Sequence, residues 1–81
     1  MNLNEITEIT NKVLIEDFEI DGTAIKGEAN FRETLDLDSL DYVDLVVFAE
    51  EKFNIKLTAE EFQTVLTFDD FYNLIENKIN D

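Results

Sequence analysis

Apolar residues recur along the chain in three long runs at the three- and four-residue spacings of amphipathic helices. Leu3, Ile6, Ile9, Val13, Leu14 and Phe18 make the first run, with Asn4, Glu5, Glu8, Asn11 and Lys12 on its outer face. The second, from Asp38 to Phe53, places Tyr42, Leu45, Val46, Ala49 and Phe53 at i, i+3, i+4, i+7 and i+11. Phe68, Phe71, Tyr72, Ile75 and Ile79 repeat that template in the third. Start signals agree with these runs. Asp38 is a good N-cap, with Asp41 three residues on as an acidic capping-box partner, so Ser39 becomes the first residue of its helix. Thr67 caps the last run, where Asp69 and Asp70 suit the positive pole and Lys78 the negative one. Thr58 with Glu61 predicts a further short helix through Glu60, Phe62 and Val65 to about Leu66.

Between Glu19 and Leu37 the pattern breaks. Gly22 and Gly27 punctuate it, and Ile20, Ile25, Phe31 and Leu35 stand as separate apolar anchors. A connection this long needs packing of its own, with one short helical turn near Arg32 to Thr34. No segment alternates with period two. The expectation is an all-α four-helix bundle of three longer helices and one short third helix. A long loop joins helices one and two, and residues 1–81 form a single domain.

The second helix carries more apolar residues than one core face needs. Leu40, Val43 and Val47 form another stripe, bordered by Asp44 and Glu51 on one side and Glu50 on the other. An 81-residue chain has little mass to cover two faces of one helix. An exposed apolar stripe rimmed by carboxylates predicts a protein-binding surface. Phe48 falls on neither stripe.

Charge narrows the partner. Twenty Asp and Glu against six Lys and Arg give −14. Nucleic acid and anionic membrane surfaces are excluded, because both need a basic face. Partners with basic patches are favoured. With 44% hydrophobic residues and seven Phe, the chain can build a core. No apolar stretch reaches the length of a membrane span, and no secretory signal opens the sequence. These features predict a soluble, cytoplasmic protein without membrane insertion.

The sequence contains neither Cys nor His. Thiolate chemistry, the usual general base and the usual zinc ligands are therefore missing. Ser39 is the sole serine and stands among Asp36, Asp38, Asp41 and Asp44. No lysine adjoins it and no G-x-S-x-G elbow surrounds it, so it has no activated-nucleophile setting. An EF-hand loop read from Asp36 puts Leu40 at the fifth position, Asp41 where Gly belongs and Val47 where the bidentate Glu belongs, so no metal site is expected. What remains for an exposed hydroxyl at a helix start is modification. A phosphate-linked group would gain from the helix N-terminus and lose from the neighbouring carboxylates.

Asp38-Ser39-Leu40-Asp41, then Val43-Asp44-Leu45-Val46, then Glu50-Glu51-Lys52-Phe53-Asn54-Ile55 resemble the acyl carrier proteins, as does Asn30-Phe31 followed by Leu35. The resemblance covers nearly the whole chain. It implies a carrier without catalytic activity of its own. Its cofactor would be 4′-phosphopantetheine, donated by coenzyme A and attached to Ser39, so that the reactive sulfur is imported. It implies that Asp38 serves recognition by the phosphopantetheinyl transferase (holo-synthase). Leu40, Val43 and Val47 would meet partner enzymes, and Asp41, Asp44, Glu50 and Glu51 the basic patches of ketosynthases, acyltransferases and other synthase enzymes. It also implies a monomer and an acyl pocket near Tyr42, Val46, Ala49, Phe62, Phe68 and Phe71.

Three departures stand out. Asp36 replaces a common Gly. Lys52 replaces a common acidic residue. Tyr42, Phe62, Phe68 and Phe71 are bulky, which predicts a pocket partly filled by rings and suited to short, flat or conjugated cargo. The leading expectation is a carrier for fatty acid or polyketide-type biosynthesis. The alternatives are a specialised D-alanyl or aryl-polyene type carrier, and a non-covalent acidic adaptor with Ser39 unmodified.

Overall fold

The computed structural model describes residues 1–80. Five α-helices run in order: α1 Leu3–Glu16, α2 Phe31–Leu35, α3 Ser39–Phe53, α4 Ala59–Gln63 and α5 Phe68–Ile79, with a single 3₁₀ turn at Gly22–Ala24. Among the described residues there is no strand, and one isolated antiparallel bridge joins Asn30 and Thr67. The fold is the expected all-α bundle, in which α2 is the short turn of the long connection grown to five residues.

Each helix begins at a side-chain cap that satisfies free N–H groups of the first turn. Asn2 with Glu5, Thr58 with Glu61 and Thr67 with Asp70 form complete capping boxes. At α2 and α3 only half of the box forms, and at α2 Asn30 accepts from the Glu33 N–H at 2.8 Å. Asp38 accepts from the Asp41 N–H at 2.9 Å, and no reciprocal bond returns from the Asp41 carboxylate. At α3 the cap and its partner are both carboxylates, and two like charges resist closing on one another.

The buried faces follow the apolar periodicity. Ile6 and Leu14 of α1, Leu45, Ala49 and Phe53 of α3, and Phe68, Phe71, Tyr72 and Ile75 of α5 share one core. Thr10 of α1 is buried with them, its hydroxyl without a hydrogen-bond partner among the described residues. The Tyr72 hydroxyl donates to Asn11 Oδ1 and links α5 to α1.

Two helix ends differ from the sequence expectation. The first helix stops at Glu16, and Phe18 folds back with its N–H on Val13 O. The short helix stops at Gln63. The Thr64 hydroxyl donates to Glu61 O at 2.6 Å and Val65 N–H to Phe62 O at 3.1 Å, closing the turn. Val65 is still buried, from the link rather than from a helix, so hydrophobicity alone extended the pattern too far.

The long connection is stitched to the α4–α5 link. Asp69 N–H donates to Gly27 O, Phe68 N–H to Ala29 O, and Phe31 N–H to Leu66 O at 2.9 Å. A Cβ on Gly27 would stand 2.5 Å from Asp69 Oδ1, so glycine allows this close approach. Phe31 then enters the core. Its ring stacks on Phe71 at 4.8 Å and meets Phe68 edge-on at 5.1 Å.

Candidate functional site

Three residues separate α2 from α3. Asp36 caps the end of α2 with φ 46° and ψ 44°, a left-handed conformation. Only glycine adopts it freely, while Asp tolerates it at a cost. The common Gly of the resemblance therefore has a geometric reason here, and Asp36 pays a strain that Gly would not. Leu37 is half-buried, Asp38 caps α3, and Ser39 follows as the first helical residue with its side chain exposed.

Beyond Ser39 the outer face of α3 is apolar and uncovered. Leu40 is 76% exposed, Val43 58% and Val47 43%. These are the residues of the second stripe. Asp44 and Glu51 beside them are exposed, and Asp41 is half-buried. Glu50 is also half-buried. Its Oε2 accepts the Leu57 N–H at 2.9 Å, so part of this carboxylate holds the α3–α4 link. Phe48 lies half-buried against Phe53, edge-on at 6.2 Å between centroids.

A cleft of about 560 Å³ opens between α3 and α4, with Ser39 in its lining. Its α3 wall is Tyr42, Val43, Val46, Val47 and Glu50, and its α4 wall is Leu57, Thr58, Ala59, Phe62 and Gln63. Val43 and Val47 thus belong both to the exposed stripe and to the cleft. The six residues expected around a pocket divide. Tyr42, Val46 and Phe62 line the cleft, whereas Ala49, Phe68 and Phe71 do not. Those three are fully buried, with both rings packed around Phe31 in the core. Two rings narrow the cleft instead of four, and it stays open.

Arg32 is a cleft residue that the sequence reading left without a role. Its Nη2 donates to Phe62 O at 3.0 Å, and its guanidinium carbon lies 5.1 Å from the Phe62 centroid and 5.8 Å from that of Tyr42. The Tyr42 hydroxyl in turn donates to Arg32 O at 3.3 Å. Burial raises the Tyr42 hydroxyl above its usual pKa, the nearby Arg32 charge opposing. Neither periodicity nor a motif marks Arg32, because its neighbours come from α3 and α4. Among the described residues no group of three metal-ligating side chains forms. Among the described residues an ion pair, Lys78 with Glu61, joins α5 to α4.

An exposed serine hydroxyl at a capped helix start, beside an apolar cleft and an apolar stripe, is built to be approached by another molecule. Comparison with known proteins decides the family. Residues 11–75 match the family model described as "Phosphopantetheine attachment site". The chain belongs to the acyl carrier protein family. It is 34% identical over 79 residues to the acyl carrier protein of Thermosynechococcus vestitus, covering 98% of both chains. It is 39% identical over 69 residues to that of Helicobacter hepaticus, covering 85% of this chain and 91% of the relative. The crystal structure of an acyl carrier protein from Thermotoga maritima superposes with a TM-score of 0.80 at 25% identity, over 99% of this chain and 93% of that one.

As an acyl carrier protein the chain is a carrier rather than a catalyst, and its covalent cofactor is phosphopantetheine. The residues fit that group, since the cap leaves the Ser39 side chain in solvent at the mouth of the cleft. A carrier of this kind acts through a transferase that loads it and enzymes that use its cargo. Among the described residues no helix is long and apolar enough to cross a membrane.

Proposed function

We propose that Ser39 is the attachment residue, and that the 81 residues act as one cytoplasmic, monomeric carrier domain. The chain would deliver acyl intermediates, held as thioesters, to enzymes of fatty acid or polyketide-type biosynthesis. The observation that carries this reading is the exposure of the sole serine on the first turn of α3, at the cleft mouth. The arm supplies the thiol that a chain without cysteine lacks. Asp38 presents the hydroxyl by starting the helix. Leu40, Val43 and Val47 give the loading transferase, ketosynthases and acyltransferases an apolar seat. Asp41, Asp44, Glu50 and Glu51 set its acidic rim, which draws basic patches together quickly.

The alternative is a specialised carrier, and the rings in the cleft wall are the observation in its favour. Tyr42 and Phe62 meet edge-on at 5.9 Å and narrow one end, which suits short, flat or conjugated cargo better than a long saturated chain. Cargo of the D-alanyl or aryl-polyene type meets that limit.

The test is loading. The protein is incubated with coenzyme A, magnesium and a broad-specificity phosphopantetheinyl transferase, and its intact mass is measured. The expected result is one mass gain that disappears in Ser39→Ala. Absence of any gain would leave only a non-covalent acidic adaptor, and a gain that survives Ser39→Ala would move the attachment elsewhere. Val43→Glu should load more slowly at unchanged melting temperature, because the charge falls on the exposed stripe.

A further inference from the structure

Arg32 is the sole arginine of the chain and the one Lys or Arg that lines the cleft. A cation among twenty carboxylates would be expected to sit against one of them. Arg32 does not, and the ion pair found among the described residues is Lys78 with Glu61. Instead its guanidinium is held by the Phe62 and Tyr42 rings and by the Phe62 carbonyl. Arg32 is otherwise exposed, and the rings cover part of its guanidinium without neutralising its charge. A guanidinium carries five N–H donors in a rigid fork, and the bond to Phe62 uses one edge of it.

Position along the cleft matters too. Tyr42, beside Arg32, stands one helical turn past Ser39 on α3, an axial rise of roughly 4.5 Å. Glu50, the carboxylate in the cleft wall, stands eight residues beyond Tyr42, roughly 12 Å further along the axis and beyond a Debye length at physiological salt. Arg32 therefore sets a positive charge at the serine end, among the Asp36, Asp38 and Asp41 carboxylates and well away from Glu50. A structural clamp between α2 and α4 would need only the bond to Phe62 O. It would not need a charged fork left open to the cleft.

We infer that Arg32 is an anion subsite of this cleft. Its guanidinium receives a negatively charged oxygen of the group carried on Ser39, and so sets how that group lies. This rests on Ser39 being the attachment residue. Two sources share the chemistry: the phosphodiester that joins the arm to the serine, and a carboxylate borne by the cargo. A bidentate contact to either is the geometry a guanidinium matches best.

One arginine gives one Nε–Hε signal in the spectrum of the ¹⁵N-labelled protein. That signal is recorded for the unloaded chain, for the chain loaded with an arm bearing a free thiol, and for the loaded chain carrying a pentanoyl or a glutaryl thioester. If the phosphodiester is the anion, the signal moves on loading and stays there with either thioester. Hε exchange with water then slows about tenfold or more, the factor one charge-assisted hydrogen bond supplies. If a cargo carboxylate is the anion, the glutaryl form alone does this. A signal unchanged in all four forms overturns the inference while a normal mass gain leaves the attachment reading standing. Failure to gain mass removes both. Loaded Arg32→Gln, checked for native fold by circular dichroism, should show a more mobile phosphorus signal if the phosphodiester is held. Arg32→Lys should restore only part of the restriction. Should Arg32→Gln not fold, the wild-type series decides alone.

Discussion

Replacing Phe31 by alanine should come close to unfolding the protein. Phe31 is fully buried, stacked on Phe71 and edge-on to Phe68 and Phe62. A buried Phe→Ala change costs about 3–5 kcal/mol, and each well-placed aromatic pair holds roughly 0.5–1.5 kcal/mol beyond its buried area. A chain of this length has only about 4–12 kcal/mol of stability in all. At about 4–8 °C per kcal/mol, Phe31→Ala should lower the melting temperature by about 15–30 °C. Phe31→Leu keeps most of the volume and loses the ring contacts, and should cost about 5–15 °C. Phe48→Ala is the control, since Phe48 is half-buried with its ring edge-on to Phe53 alone, and it should cost far less. Thermal unfolding of the three variants, followed by circular dichroism in one buffer, measures the differences. The reasoning fails if Phe31→Ala melts within about 5 °C of the parent, less than a cavity of this size allows. It fails equally if Phe48→Ala costs as much. Because Phe31 precedes Arg32, its loss should also loosen the cleft wall.

Asp36→Gly should raise the melting temperature by a few degrees. It relieves a left-handed strain on the order of 1 kcal/mol, with some of the gain returned as unfolded-chain entropy. Asp38→Ala removes the α3 cap and should cost about 1 kcal/mol, read as a lower melting temperature and slower loading of Ser39. Alkaline titration should expose Tyr72, whose hydroxyl is pushed up to about 12, chiefly by burial, with the Asn11 bond opposing. Between its usual value near 10 and about 12 the unfolded chain has lost a proton that the folded chain keeps, so stability is complete below that window and falls as pH rises through it. Tyr72→Phe should flatten the fall, and an unchanged slope would refute the assignment. Added salt or millimolar divalent cations should raise the melting temperature, because a net charge of −14 repels itself, and a flat response would count against that.

Local chemistry made the helix starts legible. Asp38, Thr58 and Thr67 cap as their side chains dictate, and Leu45, Ala49, Phe71 and Ile75 bury as their spacing dictates. The exposed stripe of Leu40, Val43 and Val47 was legible for a related reason, since one helix of a small chain cannot be covered twice. Ends were harder. Val65 is apolar and buried, yet a Thr64 hydroxyl turns the chain before it, and periodicity has no term for that bond. The cleft was harder again. Phe62, Phe68 and Phe71 look alike in sequence, yet all three meet Phe31 and Phe62 alone also lines the cleft, an arrangement that follows from the stitching of the long connection against the α4–α5 link. Arg32 acquires its neighbours through the same stitching.

Val43 and Val47 have two neighbours to serve. Their side chains form the middle of the exposed stripe and one wall of the cleft. An occupant of the cleft and a protein seated on the stripe would touch opposite flanks of the same two residues. Thermodynamic linkage then makes their affinities reciprocal, so whatever one occupant does to the other's binding is returned by the same factor. A filled carrier and an empty one would present different docking faces, and an enzyme could tell them apart without reaching the cargo.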